Sequence, residues 1–173
     1  MKKLICEKIV RIIKGKKQLE KGLNVKLSIR GKEVTIEGEP EDEYIAEKVI
    51  DALEFGFPFS VAILIREEDA MFETLNIKNY TKRRDMKVIR ARIIGKGGRT
   101  LATFSELTKC FFELKDNKIG IIGDLEYIKN AQDAMIYLIR GSKQSNVYGF
   151  LEKHHPEPVI DLGLKEVKKK REG

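Results

Sequence analysis

At 173 residues the chain is long enough for one ordinary domain or two small ones, with 42% hydrophobic residues to build a core and 35% charged residues to solvate the surface. Its apolar runs, such as Val61 to Ile65, fall far short of the roughly 20 residues a membrane span needs. The net charge of +7 is concentrated, because residues 78 to 99 set nine cations against Asp85 alone, a local +8, and the rest nearly cancels.

The amino end, Met1 to Glu7, carries Lys2 and Lys3 but neither the apolar stretch of about 7 to 15 residues nor the small-residue cleavage site of a secretory leader, so a cytoplasmic protein is expected. Cys6 and Cys110 lack the spacing of a zinc or redox pair and read as buried free thiols. Tryptophan is absent, glutamine is scarce and Lys, Glu and Ile abound, a bias like that of heat-adapted proteins.

The first 57 residues take their reading from a repeat. At an offset of 85, Ile36, Gly38, Glu41, Ala46, Leu53 and Gly56 match Ile121, Gly123, Glu126, Ala131, Leu138 and Gly141, and upstream, at an offset of 81, Arg11-Ile12-Ile13 matches Arg92-Ile93-Ile94. Two copies of one module therefore fill most of the chain. In the first copy a helix through Arg11 is expected to enter a basic turn, Lys14-Gly15-Lys16-Lys17, and a shortened helix ending near Gly22. Strands around Leu27 and Val34 and a helix past Ala46 complete it. Gly56-Phe57-Pro58 then opens an apolar helical connector, and Glu41-Asp42-Glu43 and Glu67-Glu68-Asp69 read as helix-start acids.

In the second copy Leu75 and Ile77 predict a short strand, Thr81 a helix cap, and Met86, Ile89 and Ile93 the core face of a helix whose arginines point outward. That helix runs into Gly95-Lys96-Gly97-Gly98. Leu101, Phe104 and Thr108 continue a helical stripe, Cys110 to Leu114 and Ile119 to Ile122 form a hairpin about Asp116-Asn117, and Gly123-Asp124 breaks the strand and caps a helix through Ile128, Ala131, Met135 and Leu138. Gly141 stops it.

Three glycines in four positions let backbone N–H groups approach a ligand, and Arg99 opens a helix whose amino end is partly positive, so the loop is suited to phosphate. A dinucleotide fingerprint needs a strand before its glycines, and a P-loop needs an upstream glycine before Gly-Lys; neither is present. The G-x-x-G loop between two helices, with Leu107-Thr108 closing the second and Ile122-Gly123 before the last helix, resembles the K-homology (KH) module, which clamps about four single-stranded nucleotides.

The two-module plan further resembles the archaeal and eukaryotic KH-domain small-subunit ribosome-assembly factors of the partner-of-Nob-one family. Arg92 to Thr100, Ile121-Ile122-Gly123-Asp124, Arg140-Gly141 and Ser145-Asn146-Val147-Tyr148-Gly149-Phe150-Leu151 carry the resemblance from about residue 2 to 152. It implies an α+β protein of two tandem type I KH-like modules, each a three-stranded antiparallel sheet packed with three helices. The expected division is a degenerate module at 2–57, a helical connector at 58–73, the module with the glycine loop at 74–152, and a flexible basic tail at 153–173. The function implied is that of a non-enzymatic adaptor, without cofactor or metal, which binds single-stranded RNA near the 3′ end of small-subunit rRNA. Initiation factor two alpha subunit or rRNA-processing enzymes are the protein partners implied.

The residues expected to carry the binding are Gly95, Gly97 and Gly98 through their backbone, Lys96 and Arg99 through charge, Arg90 and Arg92 as added phosphate contacts, Ile93 and Ile94 as an apolar floor with Phe112 or Leu114, and Lys118 at the hairpin turn. For Phe112 and Leu114 a plain core role stands beside this one. Two alternatives remain at this point: a KH-fold protein-docking scaffold with a vestigial loop, and a general single-stranded RNA-binding regulator of translation. No Ser, His and Asp set supports an enzyme, and His154-His155 before Pro156 reads as an exposed bend rather than a metal site.

Overall fold

The computed structural model describes residues 1–154; of the basic tail expected at 153–173, Lys153 ends the last helix, His154 caps it, and the rest, from His155 on, lies outside the described residues. Two units of like topology follow one another. The first runs β1 (Lys2–Ile5), α1 (Ile9–Leu23), β2 (Lys26–Arg30), β3 (Glu33–Glu37) and α2 (Pro40–Phe55), and its sheet has the antiparallel order β1-β3-β2. A short helix, α3 (Phe59–Ala62), and a 3-10 turn (Ile63–Arg66) lead into β4 (Ala70–Asn76). The second unit continues with α4 (Met86–Ile94), α5 (Arg99–Thr108), β5 (Phe111–Lys115), β6 (Lys118–Asp124), α6 (Leu125–Ile139) and α7 (Gln144–Lys153), with sheet order β4-β6-β5.

The repeat seen in the sequence is a structural one. Shifting β2, β3 and the start of α2 by 85 positions lands on β5, β6 and α6. Pro40 at the first turn and the acids Glu41, Asp42 and Glu43 favour the start of α2. Glu43 is buried, and its carboxylate accepts from the Met1 ammonium and from the Gly38 N–H, which hold it below the usual carboxylate range. The other acidic triplet, Glu67 to Asp69, was expected to start a helix. It instead forms the turn between the 3-10 segment and β4, where the Asp69 carbonyl accepts from the Leu125 N–H at 2.8 Å.

The first unit departs from expectation where the glycine loop has its counterpart. Lys14 to Lys17 form no turn, and no second helix ends near Gly22. One unbroken helix, α1, passes through all four residues to Leu23 and closes on Asn24 in the left-handed region. Ile12, Leu19 and Leu23 line its buried face, and its two glycines, Gly15 and Gly22, cost such a helix at most about 1 kcal/mol each.

Each unit has a core, and the two meet. Ile119 and Ile121 of β6 point into the second core with Ile89, Phe104 and Leu138, while Ile122, on the opposite face, belongs to the first core. There Phe55, Phe57 and Phe72 pack edge-on or stacked, with ring centroids 5.7 to 6.0 Å apart. Gly120 makes this approach feasible, since a Cβ at that position would lie 2.7 Å from the Phe55 ring and 2.8 Å from that of Phe57. Gly123 has a similar use. Expected to break the strand, it lies inside β6, where a Cβ would collide with the Cys110 thiol.

Both cysteines are free and buried. Burial raises the Cys6 thiol to about 12, helped by Glu54, and the Cys110 thiol to about 11.

Candidate nucleic-acid interface

The glycine loop is built by the two helices it joins. Helix α4 starts at Asp85, whose carboxylate accepts from the Val88 N–H at 3.3 Å. Thr81, the cap expected from sequence, instead accepts from the Arg83 N–H within the preceding turn. Ile89 and Ile93 anchor α4 in the core. Gly95 then ends it, with φ 75° and ψ 173°, and its N–H still reaches the Ala91 carbonyl at 2.9 Å.

Lys96 to Gly98 make one 3-10 turn, and the Gly98 N–H donates to the Gly95 carbonyl at 3.2 Å. Gly97 (φ 62°) and Gly98 (φ 76°) both occupy the left-handed region that side chains disfavour. Their roles differ from that of Gly95. A Cβ at Gly95 would fall on Thr100 Oγ1, whereas at Gly97 and Gly98 it would meet nothing within 4 Å. The first glycine lets the loop lie against α5, and the other two leave its outer surface bare. Lys96 and Arg99 are exposed, and no acid sits in the first turn of α5 to offset its partly positive amino end. Bare backbone, two cations and a helix start together form a surface suited to a phosphate chain.

Two of the expected site residues sit elsewhere. Arg92 does not point outward: its guanidinium donates to the Leu138 carbonyl at 2.9 Å and to the Ser142 carbonyl, both at the end of α6. Ile93 is 1% exposed and so cannot serve as a floor for bases, because its spacing puts it on the core face of α4. Ile94, its neighbour, is 39% exposed beside the loop. Arg90 donates to Asn117 Oδ1 at 2.6 Å, which ties α4 to the β5–β6 turn. At that turn Lys118 joins Lys78 and Lys115 around an open pocket of about 340 Å³ walled by Phe55. In the sequence Lys78 counts only as part of the cationic stretch, and Lys115 is not singled out, because the pocket is assembled from distant segments. Phe112 and Leu114, both half-buried, pack against the second core, Phe112 with its ring edge-on to Phe104 at 5.9 Å.

Among the described residues no group of three or more His, Cys, Asp or Glu is placed to hold a metal ion, and no helix is long and apolar enough to cross a membrane. His154 Nδ1 pairs with the Phe150 carbonyl at 2.8 Å.

The family model for the second KH domain of PNO1, a eukaryotic-type KH domain of type I, matches residues 71–156. The chain belongs to the PNO1 family of KH-domain proteins. Among its relatives is the RNA-binding protein pno1 of Drosophila pseudoobscura pseudoobscura, 36% identical over 137 residues, which covers 75% of this chain and 58% of the relative. A KH domain-containing protein of Methanocaldococcus jannaschii is 29% identical over 145 residues, 80% of this chain and 64% of that one. The chain thus spans about three fifths of the length of these curated relatives. Solved structures agree on the fold: Dim2p from Pyrococcus horikoshii OT3 superposes with a TM-score of 0.81 at 26% identity, covering 88% of this chain and 98% of that one. A chain of the a/eIF2alpha–aDim2p–rRNA complex from the same organism gives 0.80 at 26% identity, with 88% and 92% covered.

Proposed function

We propose that this protein is a non-enzymatic, cytoplasmic RNA-binding adaptor of small ribosomal subunit biogenesis, whose second KH unit grips single-stranded rRNA near the small-subunit 3′ end. The observation that carries the reading is the loop surface at Gly97 and Gly98, stripped of side chains, open, and flanked by exposed Lys96 and Arg99 at the start of α5. Such a surface matches a sugar-phosphate backbone, which KH loops bind through main-chain contacts. The names of the relatives support the RNA and the pathway, since they include RNA-binding and pre-rRNA-processing proteins. The archaeal complex, which holds a/eIF2alpha with aDim2p and rRNA, supports an initiation factor two alpha subunit as the protein partner.

In this reading Gly95, Gly97 and Gly98 carry the backbone past the phosphates, Lys96 and Arg99 neutralise them, and Ile94 offers apolar surface to an unstacked base. Arg90 and Lys118 extend the cationic surface toward the β5–β6 turn. Arg92 and Ile93 act from behind by fixing α4. The first unit is a scaffold, because the backbone N–H groups of Lys14 to Lys17 lie inside the continuous helix α1, where intrahelical carbonyls take them, and no phosphate cradle remains.

The test is a fluorescence-anisotropy titration with a labelled single strand ending in the mature small-subunit 3′ sequence, run beside a scrambled strand of equal length. Preference for the first is the expected result. Equal binding of both strands refutes the 3′-end assignment, and binding of neither refutes the RNA-binding role.

A further inference from the structure

The loop is held from behind at both of its ends by one short stretch of chain, the junction between α6 and α7. Helix α6 closes at Gly141 (φ 100°): the Gly141 N–H donates to the Leu138 carbonyl at 3.2 Å and the Ser142 N–H to the Tyr137 carbonyl at 3.0 Å. This paired closure fixes the direction in which the chain leaves the helix. Arg92, three residues before Gly95, reaches the Leu138 and Ser142 carbonyls of that closure. On the other side of the loop Thr100, 4% exposed, accepts from Gln144 Nε2 at 3.2 Å. Thr100 Oγ1 is also the atom on which a Gly95 side chain would fall. Residues 138 to 144 therefore brace the last turn of α4 and the first turn of α5, and the glycine loop hangs between them.

The brace has a physical purpose. Glycines lose more backbone freedom on ordering than other residues, and the three in this loop have no side chains to pack it down. Without outside support the loop would sample many conformations, and RNA would have to select the competent fraction, weakening the apparent affinity in proportion. Helix α7 keeps its own place through Val147 and Leu151, both buried, and through Tyr148 against Phe104. It therefore offers a rigid mount for Gln144.

We infer that Gln144 is a positioning residue for RNA binding: through Thr100 it presets the Gly95–Gly98 loop, with Arg92 as the second brace. This rests on the proposed RNA-binding role of the loop and extends it to a residue outside the helix-loop-helix, on a helix that packs against α5 and α6.

The experiment uses the full chain and four variants, Gln144→Ala, Thr100→Val, the double variant, and Thr100→Ser. Affinity for a fluorescein-labelled ten-nucleotide single strand from the small-subunit rRNA 3′ end is measured beside amide hydrogen exchange of Gly97 and Gly98 in the free protein and the melting temperature. Gln144→Ala and Thr100→Val are each expected to weaken RNA binding about fivefold, the equilibrium worth of one ordinary hydrogen bond, and to speed exchange at the two glycines. The double variant is expected to lose no more than either single change, as befits one shared bond, and Thr100→Ser to bind like the unaltered chain. The inference is overturned by unchanged affinity with unchanged glycine exchange, by additive losses in the double variant, or by faster exchange throughout the second unit with a matching fall in melting temperature. Failure of the unaltered chain to bind any RNA would instead sink the functional proposal, and the exchange data alone would still decide whether the brace exists.

Discussion

Replacing Gly97 by Asp separates a binding loop from a structural one. The position has φ 62° and open space around a new Cβ, so the cost to folding is that of placing an ordinary residue in the left-handed region, about 1 kcal/mol and less for Asp or Asn than for bulkier side chains. For a chain of this size that amounts to a melting-temperature shift of about 2 to 4 °C. Binding should suffer far more. A carboxylate about 4 Å from a phosphate is repelled by about 1 kcal/mol at the dielectric of water and about 4 kcal/mol at the value typical of a protein surface. The expected loss therefore lies between about fivefold and a thousandfold in affinity, shrinking as salt rises. Gly97→Asn is the control, since it shares the backbone strain without the charge. Anisotropy titrations of both variants at two salt concentrations, alongside thermal melts, give the answer. If Asp and Asn bind RNA equally and as well as the unaltered chain, phosphate does not lie at the loop and the reasoning fails.

Other expectations rest on separate parts of the molecule. Lys96→Ala should lower the slope of log affinity against log salt by about 0.7, the value for one phosphate contact on a single strand, as read from a salt series. Gly120→Ala forces a methyl against the rings of Phe55 and Phe57 and should destabilise the protein by about 1 to 3 kcal/mol in urea, with separation of one unfolding transition into two as the sign that the units have come apart. The thiols fix a pH dependence. Both are raised on folding, Cys6 to about 12 and Cys110 to about 11 from an ordinary value of 9.0, so the unfolded chain releases protons first as pH climbs. Stability should accordingly hold below pH 9 and fall between 9 and about 12, and Cys110→Ala should remove the part of that fall that lies between 9 and about 11 in chemical unfolding series at stepped pH.

Periodicity carried most of the architecture. Alternation at Phe112 and Leu114 and three-four spacing at Ile128, Ala131, Met135 and Leu138 are local properties, and the 85-residue repeat transferred β5, β6 and α6 onto β2, β3 and α2. The loop was legible for the same reason, since three glycines in four positions declare themselves without help from the rest of the chain. A signal for the continuous α1 was also present: Ile12, Leu19 and Leu23 keep helical spacing straight through Lys14 to Lys17, and one glycine is too weak to break it. The repeat, by supplying a loop at the matching position, outweighed that signal.

A pair of like α+β units and a bare, cationic glycine loop in the second were legible from residue order, because they follow from contacts between near neighbours along the chain. Tertiary structure alone decided that Arg92 turns inward to the Leu138 and Ser142 carbonyls, that Gly123 makes room for Cys110, that Ile122 crosses to the other unit's core, and that Gln144 meets Thr100. Each of these pairs groups from different elements, most of them dozens of residues apart. A guanidinium or an amide fits many partners equally well, so only the packed fold, by fixing which carbonyl or hydroxyl lies within reach, selects one.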